Sequence, residues 1–502
     1  MTNSARLSGR PSSSAAYNVT DVVDTPDSAI KSWRYLGAGE WEPNDAVRYT
    51  RGPGGGIGDD PQHPANLVIS TGETLRPYNR ALLDQAVRAR KVGRLGVGSA
   101  GVVALRFDDW QEDLYSTIYP LYRARALPFS IALISRWEEQ PWADSTTVAQ
   151  IQEMCSNGGE IWSHGLDHKD YVGYTGLYDN IVVSKAEIEA RINTRCQGFS
   201  IPGVTAINSA ALRGSDKPYY GLFEADPMNW YSPAGRLIMD HYEQGEAYSG
   251  AAFMHVGEQG PLFGRSHQTV SDGVTLETAM SWITTCKVKK QSVRVMTHSG
   301  NVGKPGNISL EDYTVWLDAI VTAREAGEIE VVTPSSLNFV TSDNSRLDIM
   351  YGQGALLGIS SASPGLWNLI DTGTSNTVYA TGGYDNGPYV EVPESGGNGP
   401  NMRPTLGNTM VGESYMFIGR AQSGGPSTTG ARVIIKSYPD AGALTVDRTF
   451  TGVGTSGWTT IRVPFTIPMR HANGGPLTQL LVQVTRGSGS ACRWSDMRIV
   501  KL

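Results

Sequence analysis

The chain is poor in cysteine, and the four it has form no pattern. Cys155, Cys196, Cys286 and Cys492 lack CxxC spacing, which excludes a disulfide-stapled scaffold and a cysteine-built zinc site. Buried free thiols are expected instead. No run of about 18 apolar residues occurs, so no membrane span is expected. The opening stretch MTNSARLSGRPSSSAAYNVTD has no apolar core, so no secretory signal is expected either. Charged residues make up only 18% of the chain, and the net charge is −7. That balance argues against a general nucleic-acid binder. Charge is also uneven. Twelve Lys and Arg against nine Asp and Glu leave residues 345–502 at +3, so the remainder carries −10.

What is present sets the architecture. At 502 residues and 40% hydrophobic content, two to four domains with sizeable cores are expected. The 58 glycines lean toward β-rich, loop-rich structure. Residues 1–27 are Ser/Thr/Asn/Ala-rich and read as an extended arm. Arg51 to Asn66 is a Gly/Pro loop. After it, RPYNRALLDQAVRARKVG has helical spacing at Leu82, Leu83, Ala86, Val87 and Arg90, with Gly93 at its end. Residues 1–100 thus form a small N-terminal module without evident chemistry.

From Val102 the pattern alternates. VVALRF, FSIALIS, GEIWSH, VRVMTHS and EIEVVT read as strands. DSTTVAQIQEMCSNGG, SKAEIEARINTRC, TLETAMSWITTC and SLEDYTVWLDAIVTAREAG read as helices. The last opens at Ser309 with Glu311 and Asp312 in its first turn and closes at Gly327. Alternation over residues 101–342 predicts a parallel α/β sheet or barrel with its site at the carboxyl ends of the strands. Residues 343–502 instead show short alternating runs separated by Gly/Ser/Pro/Asn turns. They read as a jelly-roll-like all-β sandwich. The fold class is therefore multidomain, α/β plus all-β.

Three stretches carry chemistry. ALRFDDW ends an apolar run in Asp108 and Asp109, which is either a turn or a catalytic strand end. IWSHGLDH places His164 and His168 four apart, as two loop histidines or as two ligands of one cation. VRVMTHSGN ends another strand in His298, a structural or a catalytic histidine. All three fall at expected strand ends of one α/β region. Two imidazoles and a carboxylate form a hydrolytic metal set, a second carboxylate can take a proton from water, and a further histidine can protonate a leaving group.

The order FDD, HxxxH, MTHS resembles the polysaccharide deacetylases, the NodB-homology or carbohydrate esterase family four enzymes, over about residues 101–340. The resemblance implies a distorted (β/α) barrel that removes acetyl groups from glycans. It implies Asp108 as the base, Asp109, His164 and His168 as metal ligands, and His298 as the acid. Met296 is implied to pack on the acetyl methyl. The metal is most simply Zn²⁺, with Co²⁺, Ni²⁺ or Mn²⁺ as alternatives. GFSIPG departs from the family's arginine-proline motif: Ser200 stands where arginine would be, and Gly203 where an aromatic would follow, while Pro202 is kept. The Gly203 N–H can still face an oxyanion. Arg106 and Arg195 are the two candidates for the missing arginine. ADPMNW, with Asp226 and Trp230, is the loose match to the family's next motif, and Trp230 is its substrate-pocket candidate.

The sandwich resembles carbohydrate-binding modules. Trp367, Tyr379, Tyr384, Tyr389 and Trp458 are either sugar-stacking or core residues. The three-part layout resembles a bacteriophage minor tail or tail-tip protein. That implies a virion protein acting on a host cell-wall or surface glycan, docked to other tail proteins through residues 1–100 and assembled as a homotrimer. Whether the acyl bond is amide or ester stays open. Two other readings remain: a catalytically impaired barrel kept as an adhesion protein, which the missing arginine favours, and a bacterial surface enzyme. Adjacent aspartates fit one metal better than the two faces of a sugar ring, which disfavours a glycosidase.

Overall fold

In the computed structural model the described residues are 22–24, 32–37, 40–43, 95–109, 113–139, 146–169, 173–202, 233–246, 252–256, 263–342, 367–368, 376–379, 381–394, 399–402, 412–424, 429–438, 442–487 and 490–502. The expected helix near residues 77–94 and the Gly/Pro loop lie outside them, as do Gly203, Asp226 and Trp230. Near the amino end, β1 (Val22–Asp24), β2 (Ser32–Gly37) and β3 (Glu40–Pro43) form an antiparallel sheet.

The α/β region opens with β4 (Leu95–Gly96) and β5 (Gly101–Asp108). It continues with β6 (Phe129–Leu133), β7 (Gly159–Ser163), β8 (Cys196–Phe199), β9 (Gln244–Glu246) and β10 (Phe253–His255). Next come β11 (Phe263–Arg265), β12 (Gln268–Thr269), β13 (Gln291–His298), β14 (Ile329–Val332) and β15 (Val340–Thr341). Strands β5 to β9 and β13 pair in parallel in the order β13-β5-β6-β7-β8-β9. β11 extends the β9 edge and β12 pairs with β13. Two residues, Ser266 and His267, therefore span the sheet's two edges, and the sheet curls into a half-barrel. β14 shares one side of β5 with β6: it pairs with residues 101–104 of β5, and β6 with 106–107.

Local chemistry explains the elements. The apolar run GVVALRFD is buried from end to end, as a parallel strand covered on both faces requires. Helix Leu310–Glu325 starts where the Ser309 side chain accepts a hydrogen bond from the Asp312 N–H at 3.0 Å. It stops at Gly327, whose φ of +71° is left-handed. Helix Val148–Ser156 carries a reciprocal Thr147/Gln150 cap. A Cβ on Gly101 would lie 2.2 Å from the Cys286 carbonyl oxygen, so only glycine lets helix Leu276–Lys289 pack this close to β5. All four cysteines are free and buried.

The half-barrel's outer face is apolar, with Phe107 edge-on to Tyr122 and Phe129. Its inner face is charged: Arg106, Asp108, Glu160, Glu246, Arg265 and Arg294 are all buried there. Residues 367–502 form two five-stranded antiparallel sheets. One runs β17 (Thr377–Tyr379), β18 (Tyr389–Val392), β25 (Cys492–Lys501), β20 (Ser414–Ser423), β23 (Thr459–Thr466). The other runs β16 (Trp367–Asn368), β19 (Asn401–Met402), β24 (Gln479–Thr485), β21 (Thr429–Tyr438), β22 (Thr445–Thr451). They share one apolar core that includes Val390, Phe417, Val433, Phe465, Val482 and Trp494.

These sheets dock at the amino ends of the half-barrel strands. Thr466 Oγ1 donates to the Gly159 carbonyl at 2.9 Å, and Gln197 Nε2 to the Gly412 carbonyl at 2.6 Å. Asn193 Nδ2 donates to the Arg470 carbonyl at 2.8 Å, and Arg462 Nε to Glu325 Oε1 at 3.0 Å.

Candidate active site

Side chains alternate along a strand, so Arg106 and Asp108 share the inner face of β5 while Phe107 faces the helices. Asp109 would then point outward with Phe107. Instead its φ of +66° turns the chain at the strand end and brings its carboxylate round to the site. His168 is also left-handed, at φ +58°. Two candidate ligands thus hold backbone conformations that cost on the order of 1 kcal/mol each.

The histidine pair lies in a loop, not on a helix. Ser135 N–H donates to the Gly165 carbonyl and Arg136 N–H to the Leu166 carbonyl, each at 3.0 Å. Asn180 Oδ1 accepts from the Leu166 N–H at 2.7 Å. Gly165, at φ +86°, makes the turn, and a Cβ there would meet Asn180 Oδ1 at 2.6 Å. The loop therefore presents both rings to Asp109. His164 Nε2 lies 2.8 Å and His168 Nε2 3.1 Å from the same oxygen, Asp109 Oδ1.

His164 Nδ1 is 2.9 Å from the Ser200 carbonyl, to which it donates. That bond fixes the ring with Nε2 facing Asp109. A lone pair against a carboxylate oxygen is repulsive unless a proton or a cation lies between them. One oxygen and two imidazole nitrogens within 4.8 Å of one another are a donor set a divalent cation fits. Burial raises the Asp109 pKa, but its interactions with His164 and His168 outweigh it and hold the carboxyl far below the usual carboxylate range.

Asp108 is buried beside this set. Its Oδ2 accepts from Arg106 Nη2 at 2.7 Å and from Ser200 Oγ at 3.2 Å. Its Oδ1 is buried and accepts no hydrogen bond among the described residues. Burial pushes the Asp108 pKa up, but Arg106 and then His164 outweigh it, so the carboxyl stays below its ordinary value. His298 ends β13 with Nε2 3.5 Å from Asp109 Oδ2. Its Nδ1 donates to Asp272 Oδ2 at 2.7 Å, and Asn301 Nδ2 holds the other Asp272 oxygen at 2.6 Å. Burial alone would lower the His298 pKa; the Asp272 hydrogen bond and the Asp109 charge reverse that and raise it. The site thus holds a carboxylate with one oxygen that accepts no hydrogen bond among the described residues on one side and, on the other, an imidazole whose pKa its carboxylate neighbours raise.

The structure brings together Asp108, Asp109, His164, His168 and His298. Met296 is buried on the same face of β13 as His298, in register with Arg106. Pro202 is buried just beyond β8. Of the two arginine candidates, Arg106 reaches Asp108, whereas Arg195 pairs with Glu243 and faces Glu413 on the β-sandwich side. Sequence reasoning missed Asp272, Glu246 and His267, isolated residues outside any motif. Asp272 carries one signal in hindsight: it lies in the short bend just ahead of the helix that feeds β13.

On the sandwich, Tyr379 and Tyr389 stack with centroids 4.5 Å apart, and Trp458 meets Tyr389 edge-on at 6.2 Å. Tyr384 lies under Arg420. The Trp367 side chain lies outside the described residues.

No curated protein matches the chain. Among solved structures it is similar to the CBM22-1–GH10 modules of xylanase 10B from Clostridium thermocellum, with 14% identity and TM-score 0.22, covering 27% of this chain and only 26% of that one. It is similar to the Xyl-CE4 domain of a multidomain xylanase from the hindgut metagenome of Trinervitermes trinervoides, with 12% identity and TM-score 0.29, covering 47% of this chain and 89% of that one. It is also similar to a family 4 acetyl xylan esterase from Clostridium thermocellum, with 16% identity and TM-score 0.29, covering 48% of this chain and 94% of that one. Residues 96–217, which carry Asp108, Asp109, His164 and His168, match the sequence profile of the polysaccharide deacetylase family.

Proposed function

We propose that this protein is a metal-dependent carbohydrate deacetylase that hydrolyses an acetyl amide or ester on a bacterial glycan. The observation that carries the reading is the meeting of Asp109, His164 and His168 at one point beside Asp108, within the segment similar to polysaccharide deacetylases. Asp109, His164 and His168 would hold the cation, for which Zn²⁺ is the simplest choice. Bound there, a divalent cation supplies Lewis-acid polarisation of a carbonyl and of water. Asp108 Oδ1 takes the proton of the attacking water. Water oxygen adds to the acyl carbon, the C–N or C–O bond breaks, and His298 hands its proton to the departing amine or alkoxide. Acetate and the free sugar group result.

The reading extends to the flanking regions. Tyr379, Tyr389 and Trp458 would stack on sugar rings of the polymer. The three-part layout supports a phage tail protein, docked through residues 1–100, that meets the host envelope; proteomics of purified virions tests that placement. The Arg106–Asp108 pair weighs against the impaired-adhesin alternative, whose main support is the missing arginine. The central test measures bound metal and acetate release from N-acetylated cell-wall glycan. Asp108→Ala should keep the metal and lose acetate release, and His164→Ala should lose both. Full metal content in His164→Ala overturns the site, and no acetate from the wild-type protein overturns the activity.

A further inference from the structure

We propose that Arg106 is the positioning residue that aims Asp108, and that Glu246 and His267 hold Arg106 for that task. The inference rests on the deacetylase reading and concerns how one fold replaces a missing arginine from another strand.

The observations are geometric. Arg106 lies two residues before Asp108 on β5, so alternation alone puts both on the inner face. Both are about 1% exposed, and Arg106 Nη2 meets Asp108 Oδ2 at 2.7 Å. The other terminal nitrogen, Nη1, pairs with Glu246 at the end of β9. Glu246 in turn accepts from His267, in the two-residue span between the sheet's edges. Trp162 lies under both Arg106 and Arg294, at 5.6 and 4.9 Å from ring centroid to guanidinium. The guanidinium is therefore held by Glu246 and by the Trp162 ring besides its bond to Asp108.

Ser200 completes the arrangement. It is fully buried; its hydroxyl donates to the same Asp108 oxygen that Arg106 holds, and its carbonyl fixes the His164 ring. Together Arg106 and Ser200 engage Oδ2 and leave Oδ1 as the oxygen that can meet a water. A small residue at 200 and an arginine at 106 are thus two halves of one solution. A buried cation paired on two sides is costly to assemble and is rarely kept for stability alone.

The test removes the Arg106 charge together with that of its Glu246 partner. Arg106→Met with Glu246→Gln removes both partners at similar volume. A misplaced base costs about 10²-fold in rate. The double variant should lose about that much in kcat, with KM within threefold of wild type and metal content unchanged. Arg106→Lys in the same Glu246→Gln background restores a cation and should regain at least about tenfold. A double variant within threefold of wild-type kcat overturns the proposal, as does a loss confined to KM or metal content, or no regain with lysine. A crystal structure of the double variant gives a readout independent of turnover. The Asp108 carboxylate should turn away from its wild-type position, and an unmoved carboxylate overturns the proposal. If wild-type protein releases no acetate while the carboxylate does turn, the deacetylase reading fails and the positioning role of Arg106 stands.

Discussion

The half-barrel and the β-sandwich fill their interiors with different matter. Inside the curled sheet lie Arg106, Arg265, Arg294, Glu160, Glu246 and Asp108. Between the sandwich sheets lie Val390, Phe417, Val433, Ile435, Phe465, Val482 and Trp494. Apolar burial holds a fold together at little risk, since nothing in it needs a partner. Buried charge stabilises poorly and fails badly when one partner is lost. The difference agrees with the proposal that the chemistry belongs to the half-barrel. Docking agrees: the sandwich grips the amino ends of the strands through Gly159 and Gln197, while Asp109, His164 and His298 stand at the carboxyl ends.

The sharpest way to break this contrast is at the two extremes. Asp109→Ala should lower kcat by about 10³-fold or more and abolish metal binding, with elemental analysis and acetate release as readouts. Phe417→Ala in the sandwich core should cost about 3–5 kcal/mol in denaturant unfolding, yet leave kcat per folded molecule unchanged. A catalytic defect in Phe417→Ala without loss of stability would mean that the sandwich takes part in the chemistry.

Asp272→Asn is the next step down. It keeps the shape but weakens the hold on His298 Nδ1, and kcat should fall about 10- to 100-fold with metal retained.

Glu325, which bridges the two regions through Arg462, gives a pH test. Burial raises its pKa, but Arg462 and Arg324 outweigh that and leave it lowered. A lowered folded pKa stabilises above the unfolded value near 4.5 and is lost as pH falls through the folded value. Glu325→Gln should therefore lose a little Tm at pH 7, and the difference from wild type should shrink as pH falls below about 4.5. Solvent screening of this 41%-exposed side chain keeps the effect below about 1 kcal/mol.

Smallest of all is the sandwich surface pair Arg432–Asp447, with both side chains about two-fifths exposed. A double-mutant cycle should read below about 0.5 kcal/mol and vanish in 1 M salt.

Much of the half-barrel was legible because its signals are local. Apolar runs and capping residues such as Ser309 and Gly327 mark elements through short-range sterics and hydrogen bonds. The expected strand VVALRF and the helix after Ser309 fall where the structure has them. The candidate site was legible in part, since Asp108/Asp109, His164/His168 and His298 each end or follow a strand. Asp272, Glu246 and His267 were not legible. Each is a single polar residue in an unpatterned stretch, and its role depends on which distant strand it meets. The loop geometry of the histidine pair was also hidden, because Asn180, which pins it, lies twelve residues beyond His168.

Strand alternation along β5 placed Arg106 and Asp108 on one face before any contact was known, and HxxxH spacing offered two imidazoles four residues apart after a strand, as loop residues or as ligands of one cation. Those are properties of a backbone with period two and of short loops. Tertiary structure decided the rest. It set Arg106 against Asp108 and Arg195 against Glu243, and curling of the sheet carries Glu246 and His267 across to the Arg106 guanidinium. It also turned Asp109 out of strand alternation through a left-handed backbone, so that neighbouring aspartates serve one site instead of opposite faces.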